Sequence, residues 1–164
     1  VGGTVGFPSG ASTSKMKNLE AQELLGYGCK ELDMVINVGK LKSGLYDQVA
    51  DDIQQVIMTA GTTPVKVILE VGLLTNEEIQ TGAKITRDSG ASFVKTGTGW
   101  NGSTTFEHIR TIKDAVGDSI PLKVAGGVRD LDTLLAFINM GVTRFGIGYR
   151  SALRIIAAFE ERYG

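Results

Sequence analysis

Cysteine and histidine are almost absent from this chain, and each scarcity removes a class of function. The 164 residues contain one cysteine, Cys29, and one histidine, His108. A single thiol forms neither an internal disulfide nor a multi-cysteine metal site, which points to a reducing, cytoplasmic setting. Cys29, between Gly28 and Lys30 with no partner, reads as a packing residue. A single imidazole gives no basis for a histidine metal cluster or a Ser-His-Asp triad. His108, between Glu107 and Ile109, reads as a solvated residue on a helix face. An excess of either charge is lacking too: Lys and Arg total 17, Asp and Glu 18, for a net charge of -1. That leaves no electrostatic case for nucleic acid or an anionic membrane surface as partner. No apolar run approaches the roughly 20 residues of a membrane span. No Pro/Ser-rich linker or composition shift divides the chain, so residues 1–164 read as a single domain. The glycine spacing of a dinucleotide fingerprint is missing after the first apolar segment, where Gly6-Phe-Pro-Ser-Gly10 stands.

What is present is a repeating pattern of short apolar strand, glycine or polar loop, and amphipathic helix. The 22 glycines are spread out as punctuation. Strands are expected over residues 1–7, 31–38, 65–71, 92–96, 122–125 and 144–147. Helices lie between and after them. Leu45, Val49, Ile53, Val56, Ile57 and Ala60 form one helical stripe, closed by Gly61; Leu131, Leu134, Leu135 and Ile138 form another, closed by Gly141. Capping boxes are expected at Thr75 with Glu78 and at Thr104 with Glu107. A last helix is expected over 151–162. Six βα units imply parallel strands with right-handed crossovers.

Such units build either an open doubly wound sheet or a (β/α) barrel. The strands favour the barrel, because several alternate. Leu32, Met34, Ile36 and Val38 share one face, and Glu31, Asp33, Val35 and Asn37 the other. Val65, Val67, Leu69 and Val71 likewise oppose Lys66, Ile68 and Glu70. In a barrel the apolar face meets the helices and the polar face points inward, where ionisable groups are costly unless paired and therefore mark a site. A half-exposed sheet with solvated charges is the alternative.

Two lysines end strands in similar settings: Lys95 before Thr96-Gly-Thr-Gly-Trp100, and Lys123 within Pro121-Leu-Lys-Val-Ala-Gly-Gly127. On neighbouring strands both would reach the same mouth, where like charge and desolvation lower a lysine pKa. A neutral amine attacks a carbonyl to give a Schiff base. The competing reading is a strand-end lysine that snorkels to water. Asp33 beside two lysines suits proton transfer through water, or a buried ion pair with Lys66 or Lys123. Lys66 and Glu70 read equally well as an internal structural pair. The Gly126-Gly127 turn before a helix lets backbone N–H groups approach an anion such as phosphate. Arg144 and Arg150, flanking Phe145-Gly-Ile-Gly-Tyr149, are either further donors or solvent-facing. Trp100 either walls a pocket or packs under its loop.

Phe93-Val-Lys-Thr-Gly-Thr-Gly99 resembles the Schiff-base lysine strand of the deoxyribose-phosphate aldolases, a class I family. Val5-Gly-Phe-Pro-Ser-Gly10 resembles that family's third strand and loop. Glu31-Leu-Asp-Met-Val-Ile-Asn37 with Gly39-Lys-Leu-Lys-Ser-Gly44 resembles its fourth strand and turn, and Leu122-Lys-Val-Ala-Gly-Gly-Val-Arg129 its seventh. The resemblance implies a Schiff base on Lys95, with Asp33 and Lys123 as proton-relay and pKa-tuning partners. It implies backbone donors to a substrate phosphate at Gly126 and Gly127, and Thr96 lining the site beside the nucleophile. The implied reaction is reversible cleavage of 2-deoxyribose 5-phosphate to glyceraldehyde 3-phosphate and acetaldehyde, with no metal or other cofactor. The partner implied is a small sugar phosphate, and a two-fold homodimer is the default assembly. One departure stands out. Where the family commonly has a serine pair after the last strand's glycine, this chain has Gly148 and Tyr149; their backbone groups, or Tyr149 or Arg150 side chains, would then hold the phosphate, or the acceptor differs.

Six units average about 27 residues each and do not close an eight-stranded barrel, whose usual size is about 250 residues. By resemblance Val1 falls at the family's third strand. The expectation is a TIM (β/α)8 barrel of which this chain covers strands three to eight, an N-terminal truncation consistent with the abrupt start on Val1-Gly-Gly-Thr. Reduced turnover for the chain by itself is expected, the extreme being an inactive barrel-like scaffold.

Overall fold

The computed structural model describes residues 1–164. Six parallel strands form one sheet in sequential order: β1 (Gly2–Val5), β2 (Glu31–Val35), β3 (Val65–Ile68), β4 (Phe93–Lys95), β5 (Leu122–Ala125) and β6 (Arg144–Gly146). Helices connect them, α1 (Ser14–Gly26), α2 (Val38–Lys42), α3 (Tyr46–Ala60), α4 (Asn76–Asp88), α5 (Phe106–Val116) and α6 (Leu131–Asn139), and α7 (Tyr149–Tyr163) follows the last strand. Every expected βα unit is present. The architecture is an α/β half-barrel.

The alternation of strand residues sets its two surfaces. Leu32, Met34, Val67, Val94 and Val124 are buried under the helices. They share one core with Val49, Ile53 and Val56 of α3, Ile79 of α4, Ile109 and Ile112 of α5, and Phe137 of α6. The opposite surface is concave and carries the charges. The pairing register sets Asp33 beside Lys66, and Lys95 beside Lys123. The curvature is strong enough that Arg144 on β6 reaches across the hollow to Glu31 on β2, at 2.8 Å.

Three local expectations need correction. Residue 38 is not strand: the Asn37 side chain accepts the Lys40 N–H at 3.0 Å and starts α2 there. The third strand ends at Ile68, because Glu70 adopts a left-handed backbone (φ 48°) and Val71–Leu73 form a 3-10 turn. The α5 capping box belongs to Thr105 and His108, not Thr104 and Glu107. Thr104 is drawn inward to the Thr96 hydroxyl (2.7 Å) and the Ala125 carbonyl (3.0 Å), which leaves Thr105 to cap the helix. His108 is therefore half-buried and engaged, its Nδ1 accepting the Thr105 N–H at 3.2 Å. The box at Thr75 and Glu78 forms as expected.

Burial also takes in a charge pair on the helix side of the sheet. Lys17 of α1, fully buried, donates to Asp52 of α3 at 2.5 Å and to the Val35 carbonyl at 2.9 Å. The inward face of α1 thus carries a lysine, while Met16 and Leu19 are exposed.

Candidate active site

Asp33, Lys66, Lys95 and Lys123 project from four consecutive strands into the hollow, as their alternating positions require. The Asp33 carboxylate is shared by all three lysines. Its Oδ1 accepts from Lys66 Nζ at 3.0 Å, and its Oδ2 from Lys95 at 2.8 Å and Lys123 at 2.5 Å. Lys66 is fully buried and also pairs with Glu31 at 2.9 Å, lying 5.9 Å from the Phe93 ring centroid. Lys66 thus joins Asp33 and not Glu70.

This arrangement separates the protonation properties of its members. Burial works against ionisation of Asp33, but hydrogen bonds from Lys123, Lys95 and Lys66 outweigh it, and the carboxyl is held well below the usual carboxylate range. Burial is the largest influence on Lys95 and pulls its pKa below that of a free lysine; Asp33 opposes that fall, and Lys123 and Lys66 add to it. Lys95 therefore sits closer to a neutral amine than a solvated lysine does, beside a carboxylate that remains charged.

Above these groups opens a cavity of about 480 Å³. Lys95 forms part of its wall, with Thr98, Gly126, Gly127, Arg129 and Gly148. Gly126 and Gly127 have φ of +88° and +93°, which L side chains rarely adopt. Space agrees: a Cβ on Gly126 would lie 3.0 Å from the Gly99 Cα, and one on Gly127 would lie 2.6 Å from the Ser103 Cβ. The result is a backbone-lined recess beside an amine and a guanidinium, suited to an anion.

Other expected members fall elsewhere. Thr96 is fully buried, with its hydroxyl in the β4–β5 seam, where it accepts from Ala125 N at 3.1 Å and pairs with Thr104. It braces the two lysine strands and does not line the cavity. Tyr149 is 75% exposed and lies outside the cavity wall, as does Arg150. Arg144 points into the hollow. Trp100 is 70% exposed and meets Phe7 edge to face at 5.4 Å between centroids. Of the wall's polar side chains, Thr98, Arg129 and Ser151 escape sequence reasoning. Arg129 closes the glycine turn's own motif, and Ser151 stands one turn into α7, where helix periodicity after Gly148 is the available signal.

Comparison with known proteins gives this geometry a family. A family model described as DeoC/LacD family aldolase matches residues 3–149. A deoxyribose-phosphate aldolase from Sinorhizobium medicae is 49% identical over 157 residues, which are 95% of this chain and 63% of that protein. The chain thus spans less than two thirds of that relative's length. Among solved structures, an aldolase called QR15 superposes with a TM-score of 0.92 at 35% identity, covering 99% of this chain and 73% of the other. The deoxyribose phosphate aldolase of Aeropyrum pernix, described as a tetramer, superposes with a TM-score of 0.85 at 25% identity, covering 98% and 68%. By this match over nearly its whole length, the chain belongs to the DeoC/LacD family of aldolases.

Proposed function

We propose that this chain carries the reacting centre of a 2-deoxyribose-5-phosphate aldolase, with Lys95 as the Schiff-base nucleophile. The observation that carries this reading is the Asp33 carboxylate held between Lys95 and Lys123 beneath an anion-suited recess. Of the two lysines, Lys95 belongs to the cavity wall. The neutral Lys95 amine adds to the C1 aldehyde of the open-chain sugar, and loss of water leaves a protonated imine. A base removes the C3 hydroxyl proton, the C2–C3 bond breaks, and its electron pair passes into the imine to give an enamine. Glyceraldehyde 3-phosphate departs. Protonation at C2 and hydrolysis then release acetaldehyde and free Lys95. Asp33 and Lys123, 2.5 Å apart, are suited to hold and return the protons of these steps. Gly126 and Gly127, with Gly148 and the Arg129 side chain, receive the phosphate.

Reductive trapping with borohydride and acetaldehyde, followed by mass mapping, tests the assignment. The expected product is an ethyl group on Lys95. A folded chain that remains unlabelled there would falsify it. A second reading, a lysine-dependent aldolase with another acceptor, is favoured by Gly148 and the outward-facing Tyr149 where the family commonly has serines. Comparing phosphorylated with free 2-deoxyribose separates the two.

The fold belongs to this proposal as well. Residues 1–164 are read as one domain, strands three to eight of a (β/α)8 barrel. The Glu31–Arg144 contact supports it, since strands four apart in an eight-stranded barrel face each other across the axis. No helix is long and apolar enough to cross a membrane. A cytoplasmic location and a homodimer complete the reading.

A further inference from the structure

Glu70 is the only non-glycine residue with positive φ, and it is 2% exposed. A residue with a Cβ holds a left-handed backbone only where its surroundings fix it, and such positions cluster at functional sites. What fixes Glu70 is Thr98. Its Oε2 accepts a short hydrogen bond from the Thr98 hydroxyl, and its Oε1 faces the Thr98 N–H at 3.4 Å. The same hydroxyl accepts the Trp100 N–H at 3.0 Å, so one carboxylate organises the loop that follows Lys95. On either side of Glu70, beyond the end of β3, single backbone hydrogen bonds still tie the chain to its neighbour, Leu69 N to Lys95 O and Val71 N to Thr96 O, both at 2.9 Å.

That loop is in turn the floor of the glycine recess. Gly99 packs so closely on Gly126 that a Cβ on Gly126 would press on the Gly99 backbone at 3.0 Å, and one on Gly99 would already touch the Gly126 Cα at 3.5 Å. Thr104 N donates to the Gly126 carbonyl at 3.1 Å. Contact therefore runs without a break from Glu70 through Thr98 and Gly99 to Gly126. We propose that Glu70 is a positioning residue, which through Thr98 holds the Lys95 loop against the Gly126-Gly127 turn and so keeps the anion recess in register with the amine. The inference rests on the aldolase reading for what the recess binds; the loop clamp itself does not depend on it.

Three variants isolate the clamp. Glu70→Gln removes the anionic acceptor, Thr98→Val removes the hydroxyl at constant shape, and Thr98→Ser restores it. Hydrogen exchange is measured on peptides covering 97–104 and 125–129, together with the half-saturation of Lys95 trapping by 2-deoxyribose 5-phosphate and by acetaldehyde. Glu70→Gln and Thr98→Val are each expected to speed exchange in those two segments about tenfold, the effect of one charge-assisted hydrogen bond. Glu70→Gln is expected to raise half-saturation for the phosphorylated sugar by a similar factor and leave that for acetaldehyde unchanged. In exchange, Thr98→Ser stays near the parent. Exchange that is unaltered, or that rises over the whole chain, overturns the proposal, as do half-saturations that move together. If the parent chain is trapped by neither compound, the aldolase reading fails while exchange still decides the clamp.

Discussion

Removing the Asp33 carboxylate would leave three ammonium groups facing one another where water scarcely enters. Asp33→Asn is expected to cost about 3–5 kcal/mol of stability in urea denaturation, the penalty of breaking a buried pair from one side. It is also expected to slow imine formation by about 10²–10⁴-fold, the range for loss of a positioned proton-transfer group. The pH dependence has a definite sign. Trapping in the parent chain rises with pH through the Lys95 titration, with a midpoint below that of free lysine because burial dominates. Asp33 opposes that fall, so the Asn variant shifts the midpoint lower still, read from trapping rates against pH. Asp33 itself is depressed, so its contribution to stability is complete above the ordinary carboxylate range and is lost as pH drops below it. These inward groups were legible because a strand has period two: Asp33, Lys95 and Lys123 interrupt otherwise apolar runs. Thr96 and Tyr149 were not, since a motif's neighbour is not its neighbour in space. Thr96 is claimed by Thr104 and the β5 backbone, and Tyr149 by the outward face of α7.

Helix ends show a similar division. The α4 box obeyed its spacing, but the α5 box lies one residue later than the acidic spacing suggests. Two adjacent threonines compete for the cap, and tertiary hydrogen bonds withdraw Thr104. Thr105→Ala is expected to lower stability by about 1 kcal/mol, as loss of an N-cap does, while Glu107→Ala leaves the α5 cap intact. Chemical denaturation of both variants distinguishes the assignments. Packing of α1 was hidden for a different reason. Its buried contact is Lys17 with Asp52, far apart in sequence, and its apolar Met16 and Leu19 face outward, so no stripe announces the inward side. Lys17→Met leaves a buried carboxylate without its cation, and a loss of about 3–5 kcal/mol is expected, measured as a shifted urea midpoint.

At the scale of the whole molecule, β1 and β6 each have a single strand neighbour. Exposed strand edges pair readily with other chains, so concentration-dependent association is expected in sedimentation velocity. On the barrel reading, supplying two further βα units as a separate polypeptide should suppress that association and raise turnover together; association unaffected by such units would count against it. Fold class was legible because strict βα alternation admits few topologies and the polar alternate positions pointed to a curved sheet, whereas the Arg144–Glu31 contact across the hollow was not, since it joins residues 113 apart in sequence. Those same side chains have an electrical consequence. Lys66, Lys95, Lys123 and Arg144 share the Glu31 and Asp33 carboxylates through ion pairs, and Arg129 adds a guanidinium to the cavity wall, so basic side chains outnumber the carboxylates paired with them. The chain as a whole has a net charge of -1. A molecule that is faintly negative from afar is therefore positive at its mouth, and low-dielectric walls concentrate the field lines there. Small anions would be steered inward during about the last nanometre of approach, a distance comparable to the Debye length in physiological salt.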